Sequence, residues 1–443
     1  MTPTLITVRL KLLSPGGVSG PERQRPQPDE DQPSNFLPLR RDPDDAVALP
    51  GSTVAGSLSA HCAAWPGLPD GLFGSPPGAE KMVPSPVQVL GVRLLGGVPH
   101  VASATRVAID RHRGAARVHA LFTVEQLPAG TEFDVHLRWD DAGAALDGFL
   151  DAVRAWRPRI GRGVTTGSGA SAVTGVESET YDLTSSDGLL KWLGVGDPAS
   201  YPRPTKVLPA PALPETVIDV ELEIVDGLHI GTGVRSHLPG HEGEVSLLVQ
   251  RNKVPYVPGS SLKGVLRSRV EYLCRVLGHP ACDDADCGTC QPCLLFGWSP
   301  RSGGDARMGA RAAVAIPDTE IHGAGDLDVR THVALDRVTG GARPALLYAQ
   351  QVVVTGRFRL RVEPLRRLTE AERALLRVCV ADLDDGLVGI GAATTRGLGT
   401  VRVRDDAWAR PDVSALAALL TGGSDGRADV AVRQWASHLW GVA

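Results

Sequence analysis

The chain has 443 residues, of which 42% are hydrophobic and 22% charged, with a formal net charge of -4. That length calls for more than one domain, and the balance of charge excludes a wholly basic protein that coats nucleic acid while leaving room for a local basic groove. The 51 glycines and 34 prolines indicate many loops, and an aromatic content of 5% argues against a surface that stacks base after base.

The opening segment, Leu5 to Leu13, alternates as a strand, with Ile6, Val8, Leu10 and Leu12 on one face. It lacks the basic-then-apolar layout of a signal peptide, and no apolar run in the chain is long enough to cross a bilayer, so the sequence reads as cytoplasmic with no membrane partner. A polar loop from Ser14 to Asp45 follows. Pro50-Gly51-Ser52 then leads into a short helix that ends before Leu72-Phe73-Gly74.

The same signals return in the same order after residue 215. Ile218, Val220, Leu222 and Ile224 repeat the opening strand, Pro258-Gly259-Ser260 repeats the turn, and Leu295-Phe296-Gly297 repeats the apolar-Gly step. Thr105, Val107, Asp110, Arg111, Gly114, Ala116, Arg117 and Leu121 match Thr331, Val333, Asp336, Arg337, Gly340, Ala342, Arg343 and Leu347 at one constant spacing. Ile160-Gly161 with Thr165, Gly167 and Gly169 match Ile390-Gly391 with Thr395, Gly397 and Gly399 at another. The chain is therefore read as a tandem duplication of a unit of roughly 170–190 residues. The units are placed at 1–176 and 216–404, joined by a Pro-rich linker over 177–215 and followed by a helical extension over 405–443, with helices at 412–421 and 427–440. Each unit reads as strand, long loop, helix, loop, strands, helix, Gly-rich loop and final strand, an α+β arrangement with helices on one face of an antiparallel sheet. Hairpins are expected over 121–137 and 346–362, turning near Gly130 and Gly356, and second helices over 146–156 and 370–382.

The motif Val257-Pro258-Gly259-Ser260-Ser261-Leu262-Lys263-Gly264-Val265-Leu266-Arg267-Ser268 starts a helix with Leu262, Leu266, Val270 and Leu273 on its buried face. Its serines stand in the N-cap position, and with Lys263 and Arg267 the first turn forms a phosphate site or, alternatively, an ordinary capped surface helix. Gly227-Leu228-His229-Ile230-Gly231-Thr232-Gly233 is a strand entering a Gly-rich loop that lets backbone approach a polyanion, and Gly391 to Gly399, with Arg396, offers a second such surface. Both also read as tight turns. Arg301, Arg307 and Arg311 precede a basic loop, Asp336-Arg337-Val338-Thr339-Gly340-Gly341-Ala342-Arg343, suited to lie along a nucleic-acid strand or to pair its own charges.

The second unit carries extra residues between its Pro-Gly-Ser and Leu-Phe-Gly signals. They hold Cys282, Cys287, Cys290 and Cys293, four thiolates spaced to close a tetrahedral, structural Zn²⁺ site within an insertion over 279–294. Free or oxidised cysteines are the alternative, and His279 or Cys274 could replace one ligand.

These motifs together resemble the RAMP superfamily, and within it the backbone subunit of type III CRISPR effector complexes. A chain of two units is similar to the fused backbone proteins of type III-D. The resemblance is strong over 216–404 and degenerate over 4–176. It implies two tandem ferredoxin-like, RRM-like domains with long loop insertions, the second with a zinc-binding insertion. It implies binding to a crRNA guide, to complementary target RNA and to other effector subunits. The groove contacts would fall to His229, Gly231, Gly233, Ser260, Ser261, Lys263, Arg267, Arg307, Arg311, Arg337 and Arg396, with a thumb over 299–337. The family's metal-dependent cleavage of target RNA uses an Asp between the first strand and the Pro-Gly-Ser motif. Here the matching acids are Glu244 in the second unit and, near Asn35 in the first, Asp31 after Asp29 and Glu30, with Mg²⁺ or Mn²⁺ as the ion such cleavage requires. The first unit has Ala55 and Ser59 where the second has Lys263 and Arg267, so its contacts are expected from Arg23, Arg25, Arg40 and Arg41. A metal-independent nuclease that trims the guide precursor is a further reading, with His229 or His61 as its base.

Overall fold

The computed structural model describes residues 2–21, 23–24, 35–75, 82–97, 101–110, 115–209, 215–300 and 309–411. Asp29, Glu30, Asp31, Arg301, Arg307 and the helices expected at 412–421 and 427–440 lie outside the described residues.

Strand Pro3–Leu12 is central in the first sheet. It pairs antiparallel with Glu132–Asp140, Val8 opposite Val135, and on its other side with Ser171–Thr180, Val8 opposite Val176. Val87–Leu94 adds beyond Glu132–Asp140. Helix α1 (Gly51–Ala63) follows the first of these strands and α2 (Ala145–Ala155) the third. This connectivity is the ferredoxin-like one. Period-2 alternation turns Ile6, Val8, Leu10, Leu12, Val135 and Leu137 to one face, where they pack with Val54 and Leu58 of α1 and Phe149 and Val153 of α2. Each such side chain contributes about 1.5–3 kcal/mol by leaving water.

The opposite face of that sheet is polar, with Arg9 paired to Asp134 and Thr7 bonded to His136 Nδ1 at 3.1 Å. Much of the Pro-rich connection runs across this face. After α3 (Ser186–Leu193), whose N-cap Ser185 accepts from the Gly188 N–H, Tyr201 packs edge-on against the His136 ring at 5.0 Å. Leu208 N–H then bonds the Thr174 carbonyl at 2.8 Å.

The second unit repeats the plan. Ile218–Ile224 lies between Arg357–Pro364 and Val401–Val403, and Val314–Ala315 closes the far edge. Helix α4 (Gly259–Val276) buries Leu262, Leu266, Val270 and Leu273, as its spacing predicts. The short α5 (Gln291–Phe296) follows the cysteine insertion. Helix α6 (Glu370–Asp384) opens on a capping box in which the Thr369 hydroxyl accepts from the Glu372 N–H and the Glu372 carboxylate from the Thr369 N–H.

Each unit also carries a second four-stranded sheet with the same internal order. In the first it is Arg23–Gln24, Asn35–Leu37, Ala115–Gln126 and Ala102–Asp110; in the second it is Gly231–His237, Glu244–Leu248, Ala342–Val352 and Asp328–Leu335. This corrects two sequence expectations. The strands flanking Gly130 and Gly356 are not hairpins: Ala115–Gln126 and Ala342–Val352 belong to the second sheets, while Glu132–Asp140 and Arg357–Pro364 belong to the ferredoxin-like sheets. The chain changes sheet at these glycines, which have φ of 91° and 144°. The antiparallel ribbons are instead 102–110 with 115–126 and 328–335 with 342–352.

The units touch through the Gly-rich loop of the first. Thr165 Oγ1 accepts from Lys263 Nζ at 2.8 Å, the Thr165 carbonyl accepts from the Ile316 N–H at 3.3 Å, and Arg159 pairs with Glu363. A Cβ on Gly167 would stand 2.3 Å from the Pro317 Cα, so only glycine permits this approach.

Candidate nucleic-acid interface and metal centre

Helix α4 begins one residue before the predicted serine cap. Pro258 is the N-cap, and Gly259, Ser260 and Ser261 form the first turn with no side-chain cap of their own. The Gly259 N–H donates instead to Asp318 Oδ1 at 2.8 Å, and Asp318 Oδ2 takes Arg251 at 2.7 Å. A carboxylate of the chain thus meets the positive end of the helix, the place where the sequence suggested a phosphate. A Cβ at Gly259 would fall 1.9 Å from the Ile316 carbonyl oxygen, which explains the glycine.

Lys263 and Arg267 turn inward. Lys263 is held by Thr165 across the junction, and its ammonium is pushed down to about 8 by burial first and the Arg267 charge second. Arg267 is 9% exposed. It donates through Nε to Glu271 at 2.9 Å and through Nη1 to the Gly297 carbonyl at 2.8 Å, and its Nη2 reaches Cys293 Sγ at 3.7 Å.

That last contact leads to the candidate metal centre. The Sγ atoms of Cys282, Cys287, Cys290 and Cys293 all lie within 4.8 Å of one another, with 3.4 Å from Cys282 to Cys293, 3.7 Å from Cys282 to Cys290 and 3.8 Å from Cys287 to Cys293. Four thiolates about 2.3 Å from one tetrahedral ion would be about 3.8 Å apart, so the set fits a closed four-sulfur site. Burial pushes the Cys287 thiol up, but the N–H groups of Cys290 and Thr289 outweigh this and bring it down to about 6. Burial pushes Cys293 up to about 12. His279 is outside the cluster; its N–H bonds the Cys274 carbonyl.

A first cleft, about 1190 Å³, opens beside α1. Ser52, Thr53, Gly56 and Ser57 form one wall and Gly161 to Thr165 the other. Arg157, Arg159, Arg162 and Arg311 line it with no carboxylate among the described lining residues. His61 also faces it, with Nε2 donating to the Ala152 carbonyl at 2.9 Å, and Arg162 lies over the Phe122 ring at 5.9 Å. Sequence reading placed basic contacts of this unit at Arg23, Arg25, Arg40 and Arg41. The signal for the arginines found here was the run Arg157-Pro158-Arg159-Ile160-Gly161-Arg162 just ahead of the Gly-rich loop.

A second cleft, about 390 Å³, is lined by His229, Arg235, Glu244, Ser246, Tyr348 and Gln350. The two Gly-rich loops singled out in the second unit meet at its edge: the Ala392 N–H bonds the His229 carbonyl at 2.8 Å and the Gly399 N–H bonds the Gly227 carbonyl at 2.8 Å. His229 is 4% exposed, and its Nδ1 faces the Gln351 carbonyl at 2.6 Å. A carbonyl only accepts, so Nδ1 carries the proton; burial pushes the imidazole pKa down, and the neutral ring leaves Nε2 as an acceptor. Gly231 leaves room beside it: a Cβ there would be 3.1 Å from Nε2. Gly233, Ser260, Arg311, Arg337 and Arg396 are surface positions and do not join this cleft, although Arg311 lines the first.

Among the described residues, no helix is long and apolar enough to cross a membrane. The RAMP superfamily model matches residues 9–170 and again residues 221–402. A similar relative, from Methanothermobacter thermautotrophicus, is named CRISPR system Cms endoribonuclease Csm3. It is 37% identical over 82 residues, 18% of this chain, and the chain spans 32% of that relative's length. With one match over most of each of the two units, the chain belongs to the RAMP superfamily.

Proposed function

We propose that the chain is an RNA-binding backbone subunit of a type III CRISPR ribonucleoprotein that holds a crRNA guide and positions the target RNA paired with it. The observation that carries this reading is the first cleft: in a chain of net charge -4, Arg157, Arg162 and Arg311 gather around hydroxyls and glycine backbone beside Arg159, whose charge is paired with Glu363 behind the lining, and no acid stands among the described lining itself. Such a surface favours a phosphodiester backbone. The four-cysteine cluster takes Zn²⁺ as a structural ion that folds the insertion. Arg162→Glu combined with Arg311→Glu tests the reading. RNA that co-purifies with the chain should fall severalfold, and the salt dependence of RNA binding should lose roughly 0.7 in log–log slope for each phosphate contact removed. Unchanged RNA content and slope would sink the reading.

A second reading, a metal-dependent endoribonuclease, draws on the name of the Methanothermobacter relative and on Glu244, which stands in the second cleft with His229. For the first unit the acid of this reading is Asp31, four positions before Asn35, which register matches to Glu244. Cleavage of a complementary RNA in Mg²⁺ or Mn²⁺, abolished by EDTA and by Glu244→Ala or Asp31→Ala, supports it. Cleavage that persists in EDTA and fails in His229→Ala supports a metal-independent nuclease instead.

A further inference from the structure

The second sheets of the two units share one strand order, so they can be compared position by position. In the second unit, Val245 and Ser246 pair in parallel with Ala349 and Gln350; in the first, Phe36 and Leu37 pair in parallel with Thr123 and Val124. On the neighbouring strand, Tyr348 opposes His332, and Phe122 opposes Arg106. Gly391 presses on the His229 carbonyl just as Gly161 presses on the Gly17 carbonyl. Gly17, Leu37, Val124 and Phe122 of the first unit thus correspond to His229, Ser246, Gln350 and Tyr348 of the second.

One backbone therefore carries two surfaces. In the first unit it is closed by apolar side chains, with Leu37 7% and Val124 5% exposed. In the second the same places are polar. Register puts Arg235, Ser246, Gln350 and Arg330 in one row across the sheet, and His237 opposite Glu244 and His332 opposite Tyr348 two positions further along. Gln350 is 6% exposed, and its Nε2 has no hydrogen-bond partner among the described residues, nor does Nε2 of the neighbouring His332. The first unit shows that this backbone accepts an aliphatic side chain here, so packing does not require the amide. A buried donor left unsatisfied destabilises the fold unless something else accepts its hydrogen.

Building on the RNA-binding reading, we propose that the cleft of the second unit receives an unpaired nucleobase of the bound RNA. The space, about 390 Å³, suits one base and part of its sugar. Tyr348, backed on one side by the His332 ring at 5.2 Å and 23°, supplies an aromatic wall. Gln350 Nε2 donates to an exocyclic carbonyl oxygen or a ring nitrogen of the base, while His229 Nε2 and the Glu244 carboxylate accept from an N–H. Every nucleobase has a planar edge on which donor and acceptor alternate. A phosphate would meet Arg235 but also the Glu244 carboxylate and the His229 Nε2 lone pair, a mixed lining that suits the edge of a base better than a polyanion.

The test converts the second cleft to the packing of the first with Gln350→Val and Ser246→Leu. The RNA-bound full chain is irradiated at 254 nm, and base–protein crosslinks are mapped by mass spectrometry. In the wild type, a nucleobase should be crosslinked to the peptide containing Tyr348. In the double variant, that crosslink per mole of bound RNA should fall roughly tenfold, the scale that one stacked base carries. The melting temperature should stay level or rise, because an unsatisfied donor has been removed. Bound RNA without a Tyr348 crosslink in the wild type overturns the base site and leaves the RNA reading intact. An unchanged crosslink ratio in the variant overturns it too, as does a lower melting temperature together with an unchanged ratio, which would make Gln350 structural. Absence of bound RNA in the wild type overturns both readings, and the arginine variant of the first cleft reports on the RNA reading separately.

Discussion

Arg267 is the most informative side chain to remove. Its guanidinium faces Glu271, which is 3% exposed, and also bonds the Gly297 carbonyl and approaches the Cys293 sulfur. Arg267→Met keeps much of the volume but leaves the Glu271 carboxylate buried without that charge and takes a donor from Gly297. Breaking one partner of a buried pair costs about 3–5 kcal/mol. For a unit of this size each kcal/mol moves the midpoint by about 2–4 °C, so the transition of the second unit should fall by about 6–20 °C. Arg267→Met with Glu271→Leu should recover most of the loss, because neither charge is then stranded. Differential scanning calorimetry of the single and double variants, each loaded with zinc, reads both numbers. A single variant that melts with the wild type and only loses RNA would refute the argument, since it would mean that the guanidinium serves the ligand and not the fold.

Cys290→Ser with Cys293→Ser should remove one equivalent of zinc by metal analysis and lower the melting of the second unit; about one zinc still bound would refute the ligand set. Lys263 titrates at about 8 in the folded chain against 10.5 when free, so between those values the unfolded chain binds the extra proton and stability rises with pH. The wild type should therefore gain melting temperature from pH 8 to pH 10 relative to Lys263→Met, and parallel curves for the two would refute the burial of that ammonium. Gly391→Val places a Cβ 2.4 Å from the His229 carbonyl at a φ of 87°, which should cost about 1–3 kcal/mol and speed amide exchange over 391–399. Unaltered exchange there would count against the docking of the two Gly-rich loops.

Much of this was legible in the sequence because it is periodic or repeated. The opening strands, α4 and α6 follow their apolar spacing, and the four cysteines converge as their spacing implies. The sheet change at Gly130 and Gly356 was not legible, since period-2 alternation continues on both sides of each glycine and says nothing about which neighbour a strand will choose. Lys263 and Arg267 read as solvent-facing because they are charged. What covers them comes from far away, Thr165 from the other unit and Gly297 and Cys293 from beyond the cysteine insertion. The second cleft depends on register: Ser246 and Gln350 are 104 positions apart and meet only because two strands pair in parallel.

The placement of Pro3–Leu12 between its neighbours also sets a timetable. The earliest-made strand of the first unit sits beside its last, Ser171–Thr180, and synthesis of the span between them takes about 10 to 40 s. Until then the nascent chain must carry Ile6, Val8 and Leu10 without their complete sheet. Once residue 180 and the crossing segment to Leu208 have emerged, the first unit can close before a single residue of α4 exists. The loop holding Thr165 is then already in place when Lys263 arrives, so the first half can serve as a template against which the second half begins to fold. A variant that delays closure of the first sheet should therefore harm the yield of both halves, whereas damage at the cysteine insertion should spare the first.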